Sequence, residues 1–341
     1  MRKHFKHERL RVETTSSMND YVKKYICGKA ALDYWGVPAI RGKIEPPDII
    51  FPEEYVIFTD KPLYRPDRAT IHTCSIPGAD QYVEGKACTL PLVFLQVAHE
   101  YTIHELIFLG LQCCSYREGD RPRCTVEELR ACAEELKGHR GRRKALRAIR
   151  YLENNSRSPM ESILYMFLRL PNALGGCGFN EIVLNERIDL EDGGKTYFAD
   201  LYVPSCKLDI EYDSEEFHST ASALARDRKR AAHLEAEGYR VVSVGYSQLT
   251  DLKAFRNLAR QLSRLIGKRI YIRARKFFEN FVALRDLLLR KGNNIRSRFR
   301  KIHRNEVPWH SGVHTAYKLY LAAWNRLIRH PNQPLVLTRA P

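Results

Sequence analysis

Three acidic residues in the second half of the chain have the types and spacing suited to hydrolysis of a phosphodiester bond. Asp200 lies in the apolar segment 197–203, and Glu211 and Asp213 lie in the next segment, 208–213. Residues two apart on a strand point to the same face, so Glu211 and Asp213 would share one. A hairpin between the two segments would place Asp200 beside Glu211. Because clustered carboxylates repel one another, we expect a divalent cation between them, Mg²⁺ or Mn²⁺.

Residues downstream of these acids supply the remaining chemistry of such a reaction. His218 is neutral near pH 7 and would act as the general base that activates or orients water. A bound cation would polarise the phosphodiester. The residues suited to binding phosphate groups are Arg226, Arg228, Lys229 and Arg230. Each residue taken alone is more often structural or solvated, so the prediction depends on their ordered combination.

The segments around the acids are predicted to form an α/β unit. A helix begins at Ser158, a favourable N-cap, with Pro159 in its first turn. Apolar runs bounded by turn residues predict strands, and Gly238 ends a charged helix. The predicted order is α-β-β-β-α-β, with strands over 181–188, 197–203, 208–213 and 239–244 and helices from 158 and over 221–237.

The charge of the chain is strongly uneven. The 341 residues carry a formal net charge of +16, and 44% of them are hydrophobic, enough for a substantial core. Residues 219–341 hold 26 Lys and Arg against 7 Asp and Glu, so the whole excess lies in the C-terminal third. A localised basic region indicates a polyanionic partner, most often nucleic acid. The alternative is a well-solvated helical face.

Several classes of protein are not expected. No run of about 18 apolar residues occurs, so a membrane span is not predicted. The basic N-terminus lacks an apolar core, which disfavours secretion. The nine Cys contain no Cys-x-x-Cys pair, which disfavours a disulfide framework and a zinc site. We therefore expect a cytoplasmic protein with free thiols.

The ordered motifs resemble a known nuclease family. The segments are Ser-Pro-Met-Glu-Ser at 158–162, Leu-Asp-Ile-Glu-Tyr-Asp followed by His218 at 208–218, and Arg-Asp-Arg-Lys-Arg at 226–230. With the strand Asp200, they resemble the bacterial Vsr-like (very-short-patch-repair) endonuclease domain of the PD-(D/E)XK superfamily. The resemblance covers 151–266 and implies a PD-(D/E)XK restriction-endonuclease-like core.

The resemblance also implies roles for individual residues. Asp200 and Glu211 would bind the metal, and Glu161 would supply a carboxylate from the helix. Asp213 would stand where the superfamily has a strand Lys, and His218 would be the histidine of Vsr-type sites. The positive charge of the missing Lys would then come from His218 or from the helix that carries residues 226–230.

A second resemblance concerns the first half of the chain. Ala-Leu-Asp-Tyr-Trp-Gly-Val-Pro at 31–38 resembles the start of the C-terminal region of AbiEi-like antitoxins from type IV toxin–antitoxin systems. The implied organisation is an N-terminal segment (1–26), an AbiEi-like α+β domain (27–150), the Vsr-like domain (151–266) and a basic helical extension (267–341). A toxin would then be a candidate partner protein.

Two functions compete on these observations. The first is a metal-dependent DNA endonuclease, acting in DNA repair or in defence against foreign DNA. The second is a non-catalytic DNA-binding regulator of the antitoxin type that keeps the nuclease fold as a basic platform. A structural or partner-binding role has the least support, because it leaves the acidic set unexplained.

Overall fold

The chain has a mixed α/β fold with two mixed β-sheets, as a computed structural model describes it. The described residues are 23–37, 53–59, 69–116, 122–190, 195–213, 221–270, 272 and 275–289, and residues 53, 69 and 221–228 are described by their backbone alone. The predicted N-terminal segment up to residue 22 and the predicted extension from residue 290 lie outside them. None of the helices among these residues combines the length and the hydrophobicity of a membrane span.

The bounds of the elements are as follows for the described part of the chain. The helices are α1 (Gly28–Tyr34), α2 (Leu90–Val97), α3 (Ile103–Cys113), α4 (Val126–Glu135), α5 (Arg142–Ile149), α6 (Pro159–Arg169), α7 (Ala221–Ala236), α8 (Tyr246–Thr250), α9 (Leu252–Ile266) and α10 (Phe277–Leu288). The strands are β1 (Tyr25–Ile26), β2 (Glu53–Phe58), β3 (Ala69–Cys74), β4 (Val83–Glu84), β5 (Ala87–Cys88), β6 (Val183–Asp189), β7 (Thr196–Val203), β8 (Leu208–Asp213) and β9 (Arg240–Gly245).

The first sheet has the strand order β3-β2-β1-β5-β4. Its central strand, β1, pairs antiparallel with β2 and parallel with β5, and β2 pairs parallel with β3. Only Cys27 separates the two residues of β1 from α1, so the start of this helix lies beside the middle of the sheet. The sheet therefore brings together residues that are far apart in the sequence.

The second sheet has the strand order β6-β7-β8-β9. β6, β7 and β8 form an antiparallel meander, and β8 pairs parallel with β9. A parallel pair needs a crossover connection, and α7 lies in that connection. From α6 to β9 the elements follow in the predicted order α-β-β-β-α-β.

One face of the second sheet packs into the main hydrophobic core. Leu201 on β7, Ile210 on β8 and Val244 on β9 are buried there together with Phe167 of α6 and Phe255 of α9. Successive side chains of a strand point to opposite faces. The polar residues that alternate with these apolar ones therefore lie on the other face of the sheet.

The start of α6 is built as the sequence predicts. Ser158 is the N-cap and Pro159 is the first helical residue. The Ser158 side chain accepts a hydrogen bond from the backbone N–H of Glu161 at 3.1 Å, which satisfies a donor that the helix leaves free. This cap holds Glu161 in the first turn of the helix, where the helix dipole favours a carboxylate.

Replacing the cap of α6 is expected to destabilise the protein. Ser158→Ala removes the acceptor for the Glu161 N–H, and we expect the free energy of unfolding in urea to fall by about 1 kcal/mol. Ser158→Asp retains an acceptor and should stay within about 0.5 kcal/mol of the wild type. Equal stability of the Ala and Asp variants would show that the cap does not anchor this turn.

Candidate carboxylate site

Asp200 and Glu211 lie next to each other on β7 and β8, as the predicted hairpin requires. Leu201 pairs with Ile210, and extending this antiparallel register by one residue places Asp200 opposite Glu211. The backbone N–H of Tyr212 donates a hydrogen bond to Asp200 Oδ2 at 2.9 Å. Both carboxylates are half-buried, so they are shielded by protein and still reached by solvent.

Asp209 joins this pair from one step further along β8. It lies two residues before Glu211 and therefore on the same face of the strand. Its exposed fraction is 0%, and neither carboxylate oxygen has a hydrogen-bond partner among the residues that the structure describes. A buried carboxylate without a donor is costly, so this position calls for a bound proton or a cation.

Asp209 was not among the predicted site residues, although its signal is present in the sequence. Asp209, Glu211 and Asp213 alternate along one strand, and the first of them is the most deeply buried. Asp213 is exposed at the end of β8 and does not join the buried side chains. The predicted acidic face is thus present, but its buried part extends toward the start of the strand.

Glu161 completes the group from the first turn of α6. Its exposed fraction is 6%. Its Oε2 accepts hydrogen bonds from Asn185 Nδ2 at 2.7 Å and from the backbone N–H of Arg157 at 2.8 Å. Asn185 lies on β6 with φ of 47°, a left-handed conformation that Asn tolerates better than most residues. Glu161 is therefore held rigidly. We call Glu161, Asp200, Asp209 and Glu211 the carboxylate cluster.

The electrostatics of the carboxylate cluster favour a bound proton or cation. Burial, together with the negative charges of Glu211 and Glu161, raises the pKa of Asp200 to about 7. Burial and the neighbouring Asp209 also raise the pKa of Glu211, and burial and the charge of Asp200 raise the pKa of Asp209. A proton held between Asp209 and Glu211 would supply the missing donor. The cluster does not carry its full negative charge at neutral pH unless a cation offsets the repulsion.

Arg230 on α7 provides positive charge beside the cluster. Its Nη2 donates to Glu211 Oε1 at 2.5 Å and to the carbonyl oxygen of Phe198 at 2.7 Å, and lies 3.9 Å from Asp209 Oδ2. The guanidinium also lies over the ring of Tyr197, 5.6 Å from its centroid. Arg230 was predicted to contact phosphate, and in the structure its guanidinium faces carboxylates.

The other predicted site residues lie apart from the cluster or outside the described residues. Lys229 is exposed on α7. His218 lies in the connection between β8 and α7, which is outside the described residues, and so do the side chains of Arg226 and Arg228. Their predicted roles as general base and phosphate ligands stay predictions.

The donor set of the cluster fits a hard divalent cation. Mg²⁺ is usually bound by one or two carboxylates, and the remaining positions go to waters and substrate phosphate. Asp200 and Glu211 are adjacent, half-buried and offer only oxygen. Among the described residues, no three side chains of the carboxylate cluster have oxygens that all lie within 4.8 Å of one another. A cation here would therefore take two protein ligands.

Comparison with protein-family models, with curated proteins and with solved structures found no match for this chain. The Vsr-like and AbiEi-like resemblances therefore depend on the motifs quoted above. The case for a functional site depends on the geometry and electrostatics of the carboxylate cluster.

Proposed function

We propose that the chain is a DNA endonuclease that hydrolyses phosphodiester bonds with Mg²⁺ or Mn²⁺. One observation carries the proposal: Asp200, Asp209 and Glu211 share one face of two paired strands, and Asp209 is buried without a hydrogen-bond donor. A fold gains no stability from gathering acids whose pKa values are raised, whereas a metal-dependent site needs them.

The same residues suggest how the site works. Asp200 and Glu211 would hold the cation, which supplies Lewis-acid polarisation of the phosphate and activation of a water. Glu161 is fixed by Asn185 and by a backbone N–H, so it can orient neighbouring groups without moving itself. The superfamily has a positively charged Lys on a strand at the position of Asp213. In this chain Arg230 would supply that positive charge from α7.

The architecture supports a PD-(D/E)XK core from α6 to β9. The order α-β-β-β-α-β and the mixed sheet β6-β7-β8-β9 are those expected of it. We propose DNA as the substrate because the basic excess begins directly after the cluster, with 26 Lys and Arg against 7 acids in 219–341. The AbiEi-like domain at 27–150, a toxin partner and a cytoplasmic location remain part of this proposal.

The contact between Arg230 and Glu211 favours one second candidate. The guanidinium already offsets part of the negative charge of the cluster, so the fold can keep these acids without a metal. The chain would then be a DNA-binding regulator without catalysis, using the basic surface alone. Binding without cleavage is what distinguishes it from a nuclease.

A cleavage assay on the full chain tests the proposal. Single-stranded, nicked and mismatched DNA are incubated with Mg²⁺ or Mn²⁺, and we expect cleavage that chelation abolishes. The double variant Asp200→Ala, Glu211→Ala should be inactive, while Glu186→Ala, which removes an exposed acid of the same sheet, should cleave like the wild type. Equal cleavage by the wild type and the double variant would refute the nuclease. Salt-sensitive binding with no cleavage under either metal would support the regulator.

A further inference from the structure

We propose that Cys27, Glu54 and His72 form a second metal site, for a transition metal of the Zn²⁺ class, in the first sheet. One ligand atom from each residue lies within 4.8 Å of the other two. Thiolate, carboxylate and imidazole together are donors that suit Zn²⁺ and its neighbours, whereas Mg²⁺ takes oxygen ligands. The site is therefore chemically distinct from the carboxylate cluster.

The strand order of the first sheet explains why these residues meet. Cys27 directly follows β1, Glu54 lies on β2 and His72 lies on β3, and these three strands are neighbours. The Cys27 N–H donates to the Glu54 carbonyl oxygen at 2.9 Å, which fixes the two residues side by side. His72 Nε2 lies 2.9 Å from Glu54 Oε1. Ligand atoms on tetrahedral Zn²⁺ are roughly 3.5 Å apart, so only small side-chain shifts would close the group around an ion.

Gly28 makes room for the carboxylate and helps to orient it. Its φ is 54°, and a Cβ added there would lie 2.3 Å from both oxygens of Glu54. The Lys29 N–H donates to Glu54 Oε2 at 2.8 Å. One carboxylate oxygen is thus held by the backbone, and the other is directed at His72. Hydrogen bonds from the protein to a ligating side chain set the orientation of that side chain in metal sites.

The exposure of the three side chains suits a metal site in which one coordination position is open to solvent. The exposed fraction of Cys27 is 2%, while the side chains of Glu54 and His72 are 21% and 49% exposed. Three protein ligands with solvent on the His72 side leave a fourth position for water or a small ligand. Without metal, burial and the charge of Glu54 raise the pKa of the Cys27 thiol, and a bound cation would reverse this by stabilising the thiolate.

Cobalt titration of the full chain tests the site. The protein is stripped with a chelator and titrated with Co²⁺, and we expect a thiolate-to-cobalt charge-transfer band at about one equivalent that Zn²⁺ abolishes. The carboxylate cluster has no sulfur and gives no such band, so the result is independent of the proposed nuclease.

Three variants complete the test. Cys27→Ser should remove the band, and His72→Ala should weaken Co²⁺ binding at least tenfold. Because the His72 side chain is half exposed, its variant is expected to fold, and circular dichroism checks both variants. Cys206→Ser, a half-buried Cys elsewhere in the chain, should titrate like the wild type. Absence of the band in the wild type, or its persistence in Cys27→Ser, would overturn the proposal.

Discussion

Asp200→Asn is expected to lower the rate of DNA cleavage by about 10³-fold while leaving the fold and DNA binding intact. The substitution keeps the size of the side chain and an oxygen that can accept from the Tyr212 N–H, but it removes one of the two adjacent carboxylates. A metal ion contributes several kcal/mol of charge stabilisation to the transition state, and about 4 kcal/mol corresponds to this factor. The loss should appear in the cleavage step and not in affinity for DNA.

Single-turnover cleavage and equilibrium DNA binding, measured on the same preparations, separate these two effects. Glu186→Gln is the matched control, because it makes the same kind of change at an exposed acid of β6. We expect the control to cleave at the wild-type rate. If Asp200→Asn cleaves within tenfold of the wild type, Asp200 is not a metal ligand.

The same substitution is expected to stabilise the metal-free protein more at pH 8 than at pH 5, and the difference between the two gains should be about 2 kcal/mol. The pKa of Asp200 in the folded protein is raised to about 7, and in the unfolded chain it lies near its ordinary value of 3.8. Between these values the folded state holds a proton that the unfolded state has released. The stabilising effect of this proton is therefore complete below about pH 4 and is lost as the pH rises through 7. Asn stays neutral throughout, so it avoids the loss.

Urea unfolding in the presence of a chelator, at pH 5 and at pH 8, measures this difference between variant and wild type. Variant and wild type share all other titratable groups, so their contributions to stability cancel in the comparison. These groups include His104 and His139, whose pKa values are lowered by burial and whose effect on stability has the opposite pH dependence. Adding Mn²⁺ at pH 8 should stabilise the wild type and not the variant. A variant that is less stable than the metal-free wild type at pH 8 would contradict the electrostatic description of the cluster.

Much of the second sheet could be predicted from local sequence. The strand over 208–213 has the predicted bounds, and Ser158 caps α6 as expected, because these features depend on alternation and on a single side chain. The stretch 90–114 is apolar and as a whole has helical length, and in the structure it forms two helices, α2 and α3. Thr102 begins the second helix with a capping box, a signal that the apolar pattern obscured.

The candidate sites were harder to predict than the strands. Asp200 and Glu211 could be paired because one short hairpin joins them. The burial of Asp209 depends on what covers the sheet, and the contact of Arg230 with Glu211 depends on how α7 packs back onto it. These are tertiary effects that alternation along a strand does not encode.

The grouping of Cys27, Glu54 and His72 was also beyond prediction from spacing. The three residues lie on or directly after three neighbouring strands that long connections separate in the chain, and no metal motif links them. The absence of a Cys-x-x-Cys pair disfavours a zinc site when only the sequence is considered, because that motif detects ligands that are close together in the chain.

The most direct test of the central claim is the anomalous scattering of Mn²⁺ in crystals of the full chain soaked at pH 8. We predict a single strong peak between the carboxylates of Asp200 and Glu211, with Arg230 displaced from Glu211 Oε1 and no such peak in Asp200→Asn. A wild-type structure in which Arg230 keeps its contact with Glu211, with no Mn²⁺ peak at the cluster, would contradict the claim that these carboxylates form a metal site.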